Sequence, residues 1–294
     1  MSLKQRAITG AKWTTVSMVL ISILQFTQLT ILARLLGPSA FGLIGMVTIV
    51  TGFASAFADM GISNAIIHRQ DTTKQQLSSL YWLNIFAGIA VCCIVIIVSP
   101  IVVVFFQEPQ LQNLLVLTSV IFLVTPIGQQ FQMLLQKDLN FNKLAKIEVF
   151  SSFFGTVIAV SLALIGFGVI SLVFGQISSA IFKALNLAIV GLKAWKPSLH
   201  FDISDLKGYL GFGMYQMGER SINYFSANID RILIGRLLGT ETLGLYTVAY
   251  QLVILPLTKI NPIFTTIAFP IFSKIQNDNV SLANGYNQII KILA

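Results

Sequence analysis

Long apolar runs alternate with short polar joints along the whole chain. Eight runs stand out, at about Trp13–Ala33, Phe41–Ile67, Leu80–Phe106, Leu111–Leu135, Ile147–Ile165, Gly168–Leu192, Phe212–Gly235 and Leu243–Ala268. A helix crosses the hydrocarbon core of a bilayer with roughly 20 residues, and these runs are of that order. Turn-forming residues mark the joints, at Gly37-Pro38-Ser39, Glu108-Pro109, Gly166-Phe167-Gly168 and Lys196-Pro197-Ser198. The pattern predicts an all-α fold, a polytopic membrane helical bundle of about eight transmembrane helices.

Composition strengthens that reading. Apolar residues make up 55% of the 294-residue chain and charged residues only 10%, with a mean hydropathy of +0.81. Soluble domains carry about 25% charged residues, so this chain lacks the polar surface to fold in water. The stretch that follows Lys4, Arg6 and Lys12 has the flanks of a signal sequence. It is too long, and lacks a small-residue cleavage site before Arg34, so it reads as the first span.

The net charge of +8 does not point to nucleic acid, because the basic residues sit in short loops between apolar runs. With the N-terminus inside, the cytoplasmic segments hold Lys4, Arg6, Lys12, Arg69, Lys74, Lys137, Lys143, Lys146, Lys193, Lys196, Lys207 and Lys274. The opposite loops hold only Arg34 and Arg236. That bias predicts a cytoplasmic N-terminus.

An internal repeat supplies the next level of organisation. Arg34-Leu35-Leu36-Gly37-Pro38-Ser39-Ala40-Phe41-Gly42-Leu43 matches Arg236-Leu237-Leu238-Gly239-Thr240-Glu241-Thr242-Leu243-Gly244-Leu245 at an offset of 202 residues. An even number of spans separates the copies, so both point the same way through the membrane. A parallel repeat implies two lobes related by an axis along the membrane normal, with a cavity between them. Residues 1–200 then form a six-helix lobe. Residues 201–294 supply the first two helices of a second lobe and the start of another at Tyr286–Ala294, so the expectation is a fragment of a longer protein or a truncated gene product.

The seventh span concentrates the chemistry. It contains Glu219, Arg220, Asp230 and Arg231, and each ionisable group at a helix centre costs about 2.5–3.5 kcal/mol to insert. Such groups face protein or water rather than lipid. Glu219, Asn223, Ser226 and Asp230 share one helical stripe, with Arg220, Tyr224 and Arg231 one step round. Pairing of the acids with arginines, to hold the lobes together, is the structural alternative. Asp59 in span two, Gln25 and Gln28 in span one, Asn84 in span three, and Tyr246 with Tyr250 in span eight are candidates for the same cavity or for interhelical hydrogen bonds. Thr48, Thr51 and Ser55 share a face with Asp59, but hydroxyls of this kind also bond their own backbone.

No catalytic constellation is visible: there is no nucleophile elbow, no phosphate-cradling glycine loop and no metal motif. Cys92 and Cys93 are adjacent inside an apolar run, and His68 and His200 stand alone. The expectation is a non-enzymatic protein without cofactors.

At this point the residues resemble a family. Asn228-Ile229-Asp230-Arg231-Ile232-Leu233-Ile234-Gly235-Arg236-Leu237-Leu238-Gly239, followed by Leu243-Gly244-Leu245-Tyr246 and Phe269-Pro270-Ile271-Phe272-Ser273, is similar to bacterial polysaccharide flippases of the Wzx type. Arg34-Leu35-Leu36-Gly37-Pro38, Phe41-Gly42 and Asp59-Met60-Gly61 resemble them too. The superfamily also holds multidrug extruders of the MATE type and lipid II flippases. The resemblance implies a bacterial inner-membrane exporter of an undecaprenyl-pyrophosphate-linked oligosaccharide for surface polysaccharide biosynthesis. It implies alternating access of two six-helix lobes around a cationic cavity, where Arg220 or Arg231 would meet the pyrophosphate. Besides the lipid-linked substrate and the bilayer, the partners it implies are a polysaccharide polymerase and chain-length machinery, with no nucleic acid.

Two other functions compete. A cation-coupled multidrug antiporter on the same scaffold favours unpaired carboxylates in an apolar cavity, whereas here arginine adjoins each acid of span seven. A membrane-embedded glycosyl transferase needs a large external loop, which the spans leave no room for.

Overall fold

The computed structural model describes the backbone of residues 3–58, 66, 72–207 and 210–274, and side chains over 9–58, 66, 72–207 and 215–253. Asp59, Arg69 and the helix expected at Tyr286–Ala294 lie outside the described residues. Among the described residues eight α-helices follow in order: α1 Leu3–Leu35, α2 Pro38–Ala58, α3 Lys74–Phe106, α4 Gln110–Ser119, α5 Ile121–Lys137, α6 Phe141–Leu164, α7 Ile170–Gly191 and α8 Leu210–Lys274. A short 3₁₀ turn at Ile203–Leu206 precedes α8, and no strand occurs among the described residues.

Local chemistry sets the helix ends. Thr73 and Gln76 close a capping box at the start of α3, with Thr73 Oγ1 accepting from the Gln76 amide at 3.2 Å and Gln76 Oε1 from the Thr73 amide at 3.1 Å. At its other end α3 stops on Gln107 in the left-handed region (φ 61°), ahead of Pro109. Expected span four is two helices, α4 and α5, that meet at Val120. Expected spans seven and eight fall on α8, which breaks at Gly239 (φ 80°, ψ −175°) into arms 210–238 and 240–274. Only glycine reaches that conformation without strain. Gly37, its counterpart in the repeat, likewise lies with Leu36 in the non-helical joint between α1 and α2.

Among the described residues, six helical segments are long and apolar enough to cross a membrane: Thr9–Leu35, Pro38–Ala58, Lys74–Phe106, Gln110–Lys137, Phe141–Leu164 and Ile170–Gly191. They correspond one for one to the first six expected spans, and α8 is not among them. The shortest has 21 residues, about 30 Å at 1.5 Å per residue, which matches the hydrocarbon thickness. Their outward faces are apolar: on α3, Ile97, Ile101 and Val104 are each at least 67% exposed. A bilayer, not water, suits such a surface.

The interior is held by small residues and one main apolar cluster. Leu43, Met46 and Val47 of α2 pack with Val91 and Val95 of α3, Leu111 and Leu115 of α4, Val173 of α7 and Leu243 of α8. Between α6 and α7, Gly155 and Gly175 lie so close that a methyl group on either would press into the other helix, at Ser179 or at Ala159. Close backbone approach through small residues is how spanning helices gain contact where lipid offers no hydrophobic drive. Residues 198–205 strap the α7–α8 connection across the start of α3. Ser79 Oγ donates to Asp205 Oδ2 (2.7 Å) and accepts from the Asp202 amide (3.1 Å), while Trp82 Nε1 donates to the Ser198 carbonyl (2.9 Å).

Candidate functional site

The first arm of α8 runs along α2, and one bond fixes its rotation. The Tyr224 hydroxyl donates to the Thr48 carbonyl at 2.9 Å, over Gly52, where a methyl group would overlap the tyrosine ring. Thr48, Thr51 and Ser55 each donate to a carbonyl one turn back in α2, so their hydroxyls are committed to their own helix. Seven residues beyond Tyr224, Arg231 turns the same way, toward the helices that precede α8.

There it lines a cavity of about 630 Å³ between α1, α6, α7 and α8. Gln25 and Gln28 enter from α1, Ser152 and Thr156 from α6, Gln176, Ser179 and Lys183 from α7, and Arg231, Tyr250 and Gln251 from α8. The Thr156 hydroxyl donates to Gln28 Oε1 at 2.9 Å. A second cavity of about 400 Å³ contains Ser55, Thr125, Gln129, Gln132 and again Lys183. No Asp or Glu is among the described lining residues of either, and no group of metal-ligating side chains occurs among the described residues.

The arginine is held by neutral partners. Its guanidinium lies 4.2 Å from the Tyr250 ring centroid, and Nη1 donates to Asn228 Oδ1 at 3.2 Å. Asn228 in turn donates to the Tyr224 carbonyl at 2.8 Å. Arg231 Nε is buried without a partner among the described residues. Asp230 instead accepts a short hydrogen bond from the Tyr246 hydroxyl, and Tyr246 stacks on Tyr250 with centroids 5.8 Å apart. No ion pair joins Asp230 to Arg231 among the described residues. Asp230 orients the two tyrosines, and the second of them carries the guanidinium.

Of the residues singled out in the sequence, Gln25, Gln28, Arg231 and Tyr250 line the larger cavity, with Asn228, Asp230 and Tyr246 bonded or stacked around the last two. Glu219 and Asn223 do not reach either cavity; both are exposed and bond each other at 2.8 Å. Arg220 is engaged in an interaction of its own and is absent from both linings. Asn84 is buried in α3 away from both linings, its Oδ1 without a partner among the described residues. Asp59 lies outside the described residues.

Sequence reasoning missed Lys183 and its partner Glu148, whose atoms Nζ and Oε1 are 3.5 Å apart. A single lysine 13 residues into a spanning helix was the available signal. Gln129, Gln132 and Gln176 were missed with it. The arrangement offers two cations among neutral donors and acceptors, which suits binding of a hydroxyl-rich anion more than bond-making chemistry.

Fold and site together define a multi-pass, all-helical membrane protein with a polar cavity inside its bundle. The chain belongs to the polysaccharide biosynthesis protein family, whose model matches residues 31–294. It is 41% identical over its whole length to the teichuronic acid biosynthesis protein TuaB of Bacillus subtilis (strain 168), covering 61% of that protein. It is 33% identical to the lipopolysaccharide biosynthesis protein WzxC of Escherichia coli (strain K12), covering 60% of it. The succinoglycan biosynthesis transport protein ExoT of Rhizobium meliloti (strain 1021) is 26% identical over 87% of the chain and 51% of its own length. The chain thus spans about three fifths of the first two relatives. In architecture it matches an inward-facing multidrug resistance MATE family transporter of the MOP superfamily, with a TM-score of 0.53 and 17% identity over 99% of this chain and 67% of the other. That likeness is one of fold.

Proposed function

We propose that the protein acts, without catalysing bond-making, in moving a lipid-linked oligosaccharide across the bacterial cytoplasmic membrane for surface polysaccharide biosynthesis. The N-terminus and the lysine-rich loops are read as cytoplasmic. Residues 1–200 are read as one lobe, and residues 201–294 as the start of a second that rocks against it.

The observation that carries this reading is the composition of the cavity between the first helices and α8. Amides and hydroxyls match sugar hydroxyls, and Arg231, which lines the cavity with its guanidinium stacked on Tyr250, matches a pyrophosphate that takes a planar fork of donors. Membership of the polysaccharide biosynthesis family and the transport function named for ExoT support the same reading. A cation-coupled drug antiporter is disfavoured by the lack of acidic residues among the described lining. The lipid-linked precursor is the expected partner, with polymerase and chain-length proteins acting on it afterwards.

The test is a spheroplast assay in cells whose own exporter gene is deleted. With the gene for this protein expressed, lipid-linked oligosaccharide is expected to become accessible to an externally added glycosidase. Precursor that stays protected while the protein is present in the membrane would sink the reading, as would extrusion of a cationic dye in its place.

A further inference from the structure

We propose that Lys183, with Glu148 as an exchangeable counter-ion, is a specificity-determining site for a carboxylate-bearing sugar of the oligosaccharide. The inference rests on the export reading above and adds to it the chemistry of the cargo.

Position comes first. Lys183 stands about 20 Å from the Ile170 end of α7 and about 12 Å from the Gly191 end, at 1.5 Å per residue. Neither end is within reach of a lysine stem, so the ammonium is held inside the bundle rather than at a membrane surface. It is the charged residue common to both cavities. An ionisable side chain at that depth is costly and is retained where it has a task.

The pair is loose. Lys183 Nζ and Glu148 Oε1 are 3.5 Å apart, and the two side chains are 36% and 35% exposed. Tight charge-assisted bonds run about 2.7–2.9 Å. Both side chains therefore keep exposed surface, Lys183 lines the cavities, and a ligand carboxylate, chemically the same group as that of Glu148, competes with it for the ammonium. A pyrophosphate fits the site poorly, since one ammonium cannot balance its several negative charges and Glu148 repels each of them.

Arg231 offers the opposite environment. Asp230 beside it is engaged by Tyr246, and no carboxylate pairs with the guanidinium among the described residues. Arg231 lies about 12 Å from the Gly239 break, toward the opposite end of the bundle from Lys183. The same cavity is lined by Gln25, Gln28, Ser152, Thr156, Gln176 and Ser179, all neutral and able to bond sugar hydroxyls. The cavity thus has one station for a polyanion and, some distance away, one for a single negative charge within a sugar chain.

The experiment uses the whole chain in lipid nanodiscs and two soluble probes without lipid or pyrophosphate. One is a tetrasaccharide containing glucuronate, and the other is the same compound with its carboxylates reduced to alcohols. By NMR titration the acidic probe is expected to bind about tenfold more tightly, the lower end for a charge-assisted hydrogen bond. Lys183→Gln should bring the ratio to about one, whereas Lys183→Arg and Arg231→Gln preserve it. Glu148→Gln should raise it by removing the competing carboxylate. Circular dichroism establishes that each variant is folded. Equal binding of the two probes by the wild type, or a preference that survives in Lys183→Gln, overturns this site and leaves the export reading standing. Binding of neither probe by folded protein likewise overturns this site, while the export reading stands or falls on the spheroplast assay.

Discussion

Gly42 and Gly244 occupy the same place in the two copies of the repeat, and each is covered by the other copy's backbone. A methyl group on Gly42 would overlap the Thr240 carbonyl, and one on Gly244 would overlap the Pro38 carbonyl. Pro38 and Thr240 are themselves equivalent, so the contact is reciprocal, as about a local two-fold axis. Gly42→Ala and Gly244→Ala are each expected to destabilise the protein by about 1–3 kcal/mol through overpacking. The double variant should lose less than the sum, because the first substitution already separates the helices that the second would push apart. Thermal unfolding in detergent measures this, and full additivity would mean the two glycines do not share one crossing.

The joints beside that crossing were legible in the sequence, and the crossing itself and other parts of the site were not. Repetition of Arg-Leu-Leu-Gly placed the joints at Gly37 and Gly239, because a helix break at one position of a repeat recurs at the other. Hydropathy located the first six spans for the same reason that the spans exist, the exclusion of water. Helical spacing also predicted that Glu219, Asn223, Ser226 and Asp230 form one stripe and that Tyr224 and Arg231 lie beside it. Spacing does not say which line meets the neighbouring helix. The structure turns Tyr224 and Arg231 inward and leaves Glu219 and Asn223 exposed. Lys183 escaped because one charge barely alters the hydropathy of a 22-residue run, and Glu148 because it sits near the start of its span. Their significance comes from facing each other, which is a property of tertiary packing.

Tyr224 and Gly52 form a second coupled pair. Gly52→Ala drives a methyl group into the tyrosine ring and should lower the unfolding temperature, while Tyr224→Leu alone loses the bond to Thr48, worth about 0.5–1.5 kcal/mol. In the Tyr224→Leu background the alanine has room. Its cost there should fall to near zero in the same unfolding assay, and an unchanged cost would show that another neighbour closes on Gly52.

The strap over α3 carries a pH dependence of known sign. Hydrogen bonds from the backbone amide and side chain of Ser204 hold the Asp202 carboxyl below its ordinary value of 3.8, with the charge of His200 adding in the same direction. A group whose pKa is lowered on folding stabilises the fold above its ordinary pKa and loses that contribution as pH falls through the folded value. The strap should therefore loosen below about pH 4. Trp82, bonded to Ser198, reports it: in a protein with Trp13 and Trp195 replaced by Phe, its emission should shift to the red as the medium is acidified. Asp202→Asn should remove the Asp202 part of that transition. A titration identical to the parent's would assign the change to another group of the strap.

Arg231 is expected to act through its shape as well as its charge. The guanidinium lines the cavity, stacked on Tyr250 and bonded through Nη1 to Asn228. A lysine keeps the charge but neither the plane nor the fork. If the group meets a pyrophosphate, Arg231→Lys should lose much of the export that Arg231→Ala loses, about tenfold or more for a charge-assisted bond worth about 1.5–3 kcal/mol. Tyr250→Leu should show a smaller loss, in keeping with about 0.5–2 kcal/mol for a cation over a ring. Arg220→Ala, whose residue is absent from both cavity linings, is expected to lower export less than Arg231→Ala. The assay is appearance of lipid-linked oligosaccharide on the outer face at matched protein levels. Full activity of Arg231→Lys would reduce the role of the arginine to a bare charge, and full activity of Arg231→Ala would remove it from the path of the substrate.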